Sequence, residues 1–276
     1  MEYYQFIFES LAEDKKEIII ALLSDIGFSG FEEEDDRLKA FISKDDFITE
    51  EFENIIPANT LIYSRSTIQQ TNWNAQWESG FEPVTVFYPG TDQPFVHLRA
   101  GFHQKDELAK YDIEVTPKMS FGTGHHATTY LMAEQMSQLD FSHQQVIDFG
   151  TGTGVLAILA EKLGAASVLA IDNDDWSIEN AGENIAKNHC NRISLVKADT
   201  IPAGQQAGII LANINLNIII SSLENIKNAC KPGTTILFSG IMIHDEPVIL
   251  KSLAASSIKV EECRLRDSWL IIRAKV

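Results

Sequence analysis

The sequence predicts an α/β protein whose main domain is built on a mostly parallel sheet, with a small α+β domain in front of it. Two observations support this fold class. From residue 146 onward, short apolar runs follow one another, separated by segments with helical spacing. Strands that are covered by helices on both faces show such uninterrupted runs. The stretch 1–58 instead mixes amphipathic strands and helices, which is typical of an α+β domain.

The small domain is predicted element by element from its periodicity. Residues 3–9 alternate as a strand does, and residues 14–28 have apolar positions at helical spacing, with Gly27 as a C-cap. Two short strands and an acidic amphipathic helix are expected next, in "GFEEED", "RLKAFIS" and "DDFITEEFENII".

Helix-breaking residues mark the end of this domain. Pro57 and Asn59 follow its last predicted helix and disfavour regular structure. We therefore predict an α+β domain over residues 1–58, a linker over residues 59–80 and the main domain over residues 81–276.

The main domain is predicted to begin with β-hairpins, within residues 84–115, and to continue as a sheet covered on both faces. Buried strands are expected at "QVIDFG", "SVLAID", "RISLVKAD", "AGIILAN" and "TTILFSG". Helices are expected between them, including one over residues 216–230, and two final strands are joined at Arg266 and Asp267. An open sheet of this kind binds ligands beyond the carboxyl ends of its strands, where the strand order reverses.

The charge distribution limits the possible partners. The chain carries 39 acidic and 22 basic residues, and residues 1–56 hold 16 of the acidic and 5 of the basic ones, so −11 of the net charge of −17 lies there. Such a surface repels phosphate backbones, so we expect no direct binding to nucleic acids or anionic membranes. It attracts a basic protein instead; the alternative is that the acidic residues serve solubility alone.

The cysteines and the N-terminus predict a cytoplasmic protein. Cys190, Cys230 and Cys263 share no metal-type spacing, and their odd number argues against a disulfide framework. The start, "MEYYQFIFES", lacks the basic and apolar regions of a signal peptide. The apolar runs are too short to span a bilayer.

The stretch "VIDFGTGTGVLAI" predicts a nucleoside-binding loop. A buried strand ends near Asp148, and Gly150, Gly152 and Gly154 then alternate before a helix begins. Glycines remove side chains where the backbone must approach a ligand, and a helix start offers unpaired N–H groups. A dinucleotide fingerprint has its third glycine five positions after the first, where this chain has Val155. Binding of NAD is therefore the weaker alternative.

A second acidic residue, Asp172, ends the next predicted strand, 22 positions after Gly150. A carboxylate at this place can accept hydrogen bonds from both hydroxyls of a ribose. The alternative is that Asp172 is an ordinary N-cap of the helix at Trp176. Beside the glycine loop, the ribose interpretation is favoured.

Upstream of this loop, "SFGTGHHATT" (residues 120–129) combines glycines with two adjacent histidines. A zinc site that used His125 and His126 would need further ligands, and neighbouring side chains point in different directions on a helix or a strand. We therefore expect no metal site in this stretch.

The acidic residue before a GxGxG loop, together with the acidic residue that ends the next strand, resembles the S-adenosylmethionine-dependent methyltransferases of the Rossmann-like class I. The resemblance implies a Rossmann-like methyltransferase fold with S-adenosylmethionine as the cofactor. In many amino-group methyltransferases an Asn-Pro-Pro-Tyr-like turn follows the fourth strand and accepts hydrogen bonds from the target nitrogen. Asn213 occupies the asparagine position here, whereas Ile214 and Asn215 depart from the pattern, which disfavours a planar base as the target.

The stretch "SFGTGHHATT" is itself similar to the "FGTGTHPTT" signature of the PrmA-type family, the methyltransferases of large-subunit ribosomal protein eleven. His125 and Ala127 replace the threonine and the proline of that signature, and "TPKM" replaces its usual Asp-Pro-Gly start. The resemblance covers residues 70–276 and extends to "NWNAQW", "GTGTGVLAILAEKLGA", "LANI", "FSGI" and "SWLIIRAK". The stretch 1–60 matches mainly in length and pattern.

This resemblance implies a protein methyltransferase that acts on amino groups of ribosomal protein eleven, namely lysine side chains, with the N-terminal amine as a further candidate. It also implies a ferredoxin-like first domain that recognises this basic substrate. The residues implied to contact the cofactor are Thr129, Gly150, Asp172 and Asn213, with Asp199 at the adenine. No residue is assigned as a general base. The alternatives are another protein or a small amine as the substrate, or a module that only senses the cofactor.

Overall fold

The computed structural model describes residues 2–9, 11, 13–24, 26–28, 30–34, 37–56, 61–69, 82–116 and 126–276. The chain divides into two compact units, Met1–Ser79 and Gly80–Val276. Among the described residues, no helix is both long and apolar enough to cross a membrane.

The first unit is a four-stranded antiparallel sheet with two helices. Its elements are β1 (Glu2–Phe8), α1 (Glu13–Ser24), β2 (Gly30–Glu34), β3 (Arg37–Ser43), α2 (Thr49–Ile55) and β4 (Tyr63–Gln69). The strand order is β2-β3-β1-β4, with every neighbouring pair antiparallel. This βαββαβ arrangement is ferredoxin-like and confirms the predicted fold class of the first domain.

The strand β4 lies within the segment predicted as a linker. It pairs with β1 along its whole length, so the first unit extends beyond residue 58. Its sequence, "YSRSTIQ", shows no buried-strand pattern because the side chains of residues 63–67 are exposed. Pro57, Asn59 and residues 70–80 lie outside the described part of the chain.

Aromatic side chains form much of the core of the first unit. Phe6, Phe8, Phe28 and Phe52 are buried, and the ring centroids of Phe6 and Phe52 are 4.6 Å apart. The predicted C-cap, Gly27, has a φ of +91°, a left-handed conformation that favours glycine. The chain turns back there, and the Phe28 N–H bonds the Leu23 carbonyl at 3.1 Å, which places the Phe28 ring in the core.

The second unit holds the remaining elements. They are β5 (Val84–Phe87), β6 (Pro94–Arg99), β7 (Tyr111–Glu114), α3 (Ala127–Met136), β8 (Gln145–Phe149), α4 (Val155–Lys162), β9 (Ser167–Asp172), α5 (Asp175–Lys187), β10 (Ile193–Lys197), β11 (Ala207–Asn213), α6 (Leu216–Asn228), β12 (Cys230–Met242), α7 (Glu246–Ala255), β13 (Lys259–Arg266) and β14 (Trp269–Lys275).

A seven-stranded sheet is the centre of this unit. Its order is β10-β9-β8-β11-β12-β14-β13, and all pairs are parallel except those that β14 makes with β12 and β13. One face packs against α3 and α4, and the other packs against α6 and α7. The strand order reverses between β8 and β11, which is where an open α/β sheet binds its ligand. The mostly parallel, Rossmann-like sheet is as predicted.

Two elements of this unit differ from the sequence prediction. Strands β5 and β6 form the expected hairpin, but β7 is parallel to β6, so the second predicted hairpin is wrong. The helix α7 was not predicted, although Pro247 stands in its first turn, where proline is well tolerated.

Candidate active site

A cavity of about 390 Å³ lies beyond the carboxyl ends of the strands at which the sheet order reverses. Four of the predicted site residues line it, and the fifth, Thr129, lines a smaller cavity that shares two of them, Gly150 and Asn213. The described lining of the larger cavity contains Asp172 and Asp199 but neither lysine nor arginine. The structure thus brings together the residues for which cofactor contacts are predicted.

The glycine loop between β8 and α4 has a backbone that needs glycine. Gly150, Gly152 and Gly154 have φ values of +81°, +53° and +80°. A Cβ atom on Gly150 would overlap the side chain of Ile214, and one on Gly154 would lie 3.2 Å from the Cβ of Ala181. The spacing of the third glycine is therefore set by its packing against the helix α5.

Asp172 is a partner of this loop and does not cap a helix. Its carboxylate accepts hydrogen bonds from the N–H of Gly152 at 2.8 Å and from the N–H of Asp174 at 3.1 Å. Asp174 is the N-cap of α5, because its own carboxylate accepts the N–H of Ser177 at 2.9 Å. The alternative interpretation of Asp172 as a helix cap is therefore excluded, and its carboxylate lines the cavity.

Asp199 follows β10 and lines the same cavity. Asn173, the residue after Asp172, donates a hydrogen bond from Nδ2 to Oδ1 of Asp199 at 3.1 Å. This bond orients the Asp199 carboxylate and connects the ends of two neighbouring strands. The predicted adenine contact of Asp199 remains a prediction.

Asn213 is the last residue of β11, and its side chain is 7% exposed. Its Oδ1 atom is buried and has no hydrogen-bond partner. The next asparagine has a structural role, because Oδ1 of Asn215 accepts the N–H of Ile218 and caps α6. Both asparagines line the larger cavity, but Oδ1 of Asn215 is used by the helix, whereas Oδ1 of Asn213 is left for a ligand.

The helix α3 begins at Ala127, so Thr129 lies in its first turn. His126 is its N-cap and accepts the N–H of Thr128 through Nδ1. Burial lowers the pKa of His126, which keeps the ring neutral and able to accept this bond. His126 also packs edge-to-face on Trp269, with 4.6 Å between ring centroids. The histidine that the sequence analysis gave no role is thus part of the site's framework.

Thr129 is fully buried in the first turn of α3. Its N–H donates to the His126 carbonyl at 3.1 Å, so this group is already hydrogen-bonded within the helix. Its hydroxyl Oγ1, by contrast, is buried without a partner. We therefore expect Thr129 to contact the cofactor through its hydroxyl group.

Asp148 lies directly beneath the glycine loop and is 1% exposed. Burial raises its pKa to about 7, since desolvation disfavours the carboxylate. The Thr151 hydroxyl donates to Oδ2 at 2.6 Å, while Oδ1 has no hydrogen-bond partner.

The polar groups of this region fit S-adenosylmethionine. Thr129 Oγ1, Asp148 Oδ1 and Asn213 Oδ1 are buried without partners, whereas buried polar atoms in folded proteins are nearly always hydrogen-bonded. Thr129 and Asn213 line the cavities, so a ligand with an acceptor for the Thr129 hydroxyl and a donor for Asn213 Oδ1 would satisfy these two atoms. Two aspartates, in a lining whose described residues include neither lysine nor arginine, also suit a nucleoside that carries a sulfonium cation better than one that carries a pyrophosphate.

Several lining residues were not predicted as site residues, among them Asn173, Gly240 and Trp269. Gly240 has a φ of +83°, and a Cβ atom there would overlap the backbone of Ile214. Gly240 and Trp269 belong to "FSGI" and "SWLIIRAK", two stretches that carry the family resemblance, and this was the signal that could have identified them. Residues 120–125 of the signature and "NWNAQW" lie outside the described part of the chain.

The described residues contain no cluster of three or more potential metal ligands. His125, one of the two histidines weighed as a zinc site, is not among them. Cys190, Cys230 and Cys263 are free thiols.

Comparisons with known proteins agree on one family. A family model described as ribosomal protein L11 methyltransferase (PrmA) matches residues 10–276. A protein named ribosomal protein L11 methyltransferase from Porphyromonas gingivalis is 34% identical, over 99% of this chain and 97% of its own length. One of the same name from Chlorobaculum parvum is 38% identical, over 93% of this chain and 91% of its own length.

Solved structures support the same conclusion. The crystal structure of a ribosomal protein L11 methylase from Lactobacillus delbrueckii subsp. bulgaricus is 27% identical, with a TM-score of 0.61 over 68% of this chain and 97% of that one. A methyltransferase from Pyrococcus furiosus, 17% identical with a TM-score of 0.51, shares the fold. The chain therefore belongs to the ribosomal protein L11 methyltransferase (PrmA) family and is an S-adenosylmethionine-dependent methyltransferase.

Proposed function

We propose that this protein transfers methyl groups from S-adenosylmethionine to amino groups of ribosomal protein L11. The proposed targets are lysine side chains and, as a further candidate, the N-terminal amine. The observation that carries this proposal is the buried, unpartnered Oδ1 atom of Asn213, at the turn where amino-group methyltransferases hold the target nitrogen. The names of the relatives support the choice of L11 as the substrate.

Four of the five predicted cofactor residues have distinct roles toward the cofactor in this proposal, and the fifth, Asn213, lies where the cofactor and the target amine meet. The Asp172 carboxylate accepts hydrogen bonds from the ribose hydroxyls, and Asp199, oriented by Asn173, accepts one from the adenine amino group. The Thr129 hydroxyl donates to the carboxylate of the amino-acid end. Gly150 gives the backbone room to approach the ligand.

When bound, the cofactor supplies a methyl group that is activated by the positive charge of its sulfonium. The protein contributes mainly alignment, which can supply several kcal/mol of the barrier. Asn213 Oδ1 and the Ile214 carbonyl accept hydrogen bonds from the target amine and direct its lone pair. A lysine amine, whose ordinary pKa is about 10.4, must first lose a proton, and burial in the site lowers that pKa. We assign no general base, and the proton passes to solvent.

The charge distribution supports the proposed partner. The stretch 1–56 carries an acidic surplus of −11, which complements a basic ribosomal protein. The same surplus disfavours direct contact with nucleic acids. We propose that the protein acts in the cytoplasm, on an amine-bearing protein surface.

The substrate can be tested directly. The purified protein, S-adenosylmethionine labelled in its methyl group and ribosomal proteins from a strain that lacks this enzyme are mixed, and the labelled protein is identified by mass spectrometry. We expect label on lysine residues of L11. Label on another protein or on RNA would refute the substrate assignment, and no transfer to any acceptor would refute the activity.

The role of Asn213 can be tested with a matched control. We expect Asn213→Ala to lower kcat by about 100-fold, because a misaligned amine attacks slowly. Asn217→Ala removes an exposed asparagine from the neighbouring helix and should leave kcat unchanged. Full activity of the Asn213 variant in a steady-state methylation assay would contradict the role proposed for this residue.

A further inference from the structure

Asparagines spaced four residues apart mark one side of the helix α5. Asn180 and Asn184 are fully buried, and Asn188 is half-buried. Asparagine is mostly found on protein surfaces, and it disfavours helix interiors because its side chain competes for backbone hydrogen bonds. Asn180 accepts a hydrogen bond from Asn184 through Oδ1 at 3.4 Å, while its Nδ2 has no partner, so the contacts to other elements come from Asn184 and Asn188.

Asn184 connects two segments that are far apart in sequence. Its Nδ2 donates to the carbonyl of Thr153 at 2.8 Å, and its Oδ1 accepts the N–H of Thr116, also at 2.8 Å. Thr153 lies inside the glycine loop, between Gly152 and Gly154. Thr116 follows β7 and is the last described residue before residues 117–125, most of which belong to the family signature.

Asn188 also bonds the backbone near the end of β7, but it does not bond the glycine loop. Its Oδ1 accepts the N–H of Glu114 at 3.0 Å, and its Nδ2 donates to the carbonyl of Glu114 at 2.7 Å. Both asparagines thus satisfy the backbone at the end of β7, as a neighbouring strand would. Of the two, Asn184 is the one that bonds the glycine loop.

We propose that Asn184 is a positioning residue of the cofactor site. By holding the Thr153 carbonyl, it fixes the peptide plane that leads into Gly154 and so the placement of the glycine loop beside Asp172. By holding the Thr116 N–H with the same amide, it keeps this loop at a fixed distance from Thr116. The inference rests on the proposed use of the glycine loop for the cofactor.

The test compares substitutions at the two asparagines. Asn184→Ala and Asn188→Ala each remove an amide that bonds the backbone at or just after the end of β7, but only the first removes a hydrogen bond to the Thr153 carbonyl. Binding of S-adenosylhomocysteine is measured by titration calorimetry, and stability by thermal unfolding. We expect Asn184→Ala to weaken binding by about 10-fold, the effect of losing one buried hydrogen bond. Asn188→Ala should lower the unfolding temperature without weakening binding.

A near-isosteric pair covers the case in which the alanine variant does not fold. Asn184→Asp keeps the acceptor for Thr116 but places a carboxylate oxygen against the Thr153 carbonyl, and Asn188→Asp does the same at Glu114. Equal weakening at both positions, or none at position 184, would overturn the proposal. Because no methyl acceptor is present, a wrong substrate assignment does not affect this measurement. Failure of the unsubstituted protein to bind would instead refute the cofactor assignment.

Discussion

The carboxylate of Asp172 bonds the glycine loop and lines the cavity, so its substitution tests whether it binds the cofactor. Asp172→Asn removes one acceptor and the negative charge that favours ribose hydroxyls, so we expect the affinity for S-adenosylhomocysteine to fall by about 10-fold or more. Asp174→Asn is the matched control, because asparagine caps a helix as well as aspartate does. Calorimetry of both variants tests this, and an equal loss in both would contradict the assignment.

Asp148 predicts a specific dependence of stability on pH. Its pKa in the folded protein is raised by burial from the ordinary 3.8 to about 7. When folding raises the pKa of a carboxyl group, the protonated group stabilises the folded protein. This stabilisation is fully present at pH values below the pKa of the unfolded state, and it is lost as the pH rises through the pKa of the folded state. Between about pH 5 and about pH 7, the free energy of unfolding should therefore fall by up to about 1.4 kcal/mol per pH unit on account of this residue.

The variant Asp148→Asn cannot titrate at this position. We expect the unfolding temperature of the unsubstituted protein to fall, relative to that of this variant, as the pH rises through that window. Parallel pH profiles for the two proteins would show that Asp148 does not titrate as described.

Site residues that follow strands of the parallel sheet could be predicted, and others could not. Asp172, Asp199 and Asn213 lie at or just after strand ends, and the carboxyl ends of parallel strands converge on one edge. Trp269 reaches the same cavity from an antiparallel hairpin, where its position depends on the pairing of β14 with β12. Asn184 contacts the loop from the last turn of a helix. Neither pairing nor helix rotation can be read from a local pattern.

Alanine should have different effects at two glycines with left-handed backbones, Gly150 in the glycine loop and Gly90 in the turn between β5 and β6. Gly90 has a φ of +71° and no atom within 4 Å of an added Cβ, so Gly90→Ala should cost about 1 kcal/mol of stability and leave cofactor affinity unchanged. Gly150→Ala adds an overlap with Ile214 to the same backbone strain. We expect a larger loss of stability and at least about 10-fold weaker cofactor binding. Equal behaviour of the two variants would show that the loop tolerates a side chain at residue 150.

The predictability of each element follows from its burial. The strands β8, β9 and β11 are apolar runs because both of their faces are covered, and the sequence predicts each of them. The strand β4 is exposed on most of its residues, so its sequence carries no such run. The direction of β7 was mispredicted because adjacency in sequence favours a hairpin, whereas a parallel pair requires only a long enough connection.

At the scale of the whole molecule, the acidic first unit predicts salt-dependent substrate binding. Glu50, Glu51 and Glu53 are exposed on α2. We expect their combined replacement by lysine to raise the KM for L11 by about 10-fold at low salt, because charge complementarity accelerates association. The Kd for S-adenosylhomocysteine should stay constant. An unchanged KM would indicate that the acidic surplus serves solubility alone.

The described lining of both cavities comes from residues 129–269, all within the second unit. The residues proposed to hold the methyl donor are therefore encoded separately from the acidic ferredoxin-like unit. The first unit can therefore diverge in sequence without changing the residues that line the cofactor cavities. Exchanging the unit Met1–Ser79 between relatives is thus a rational route to redirect methylation toward a different protein.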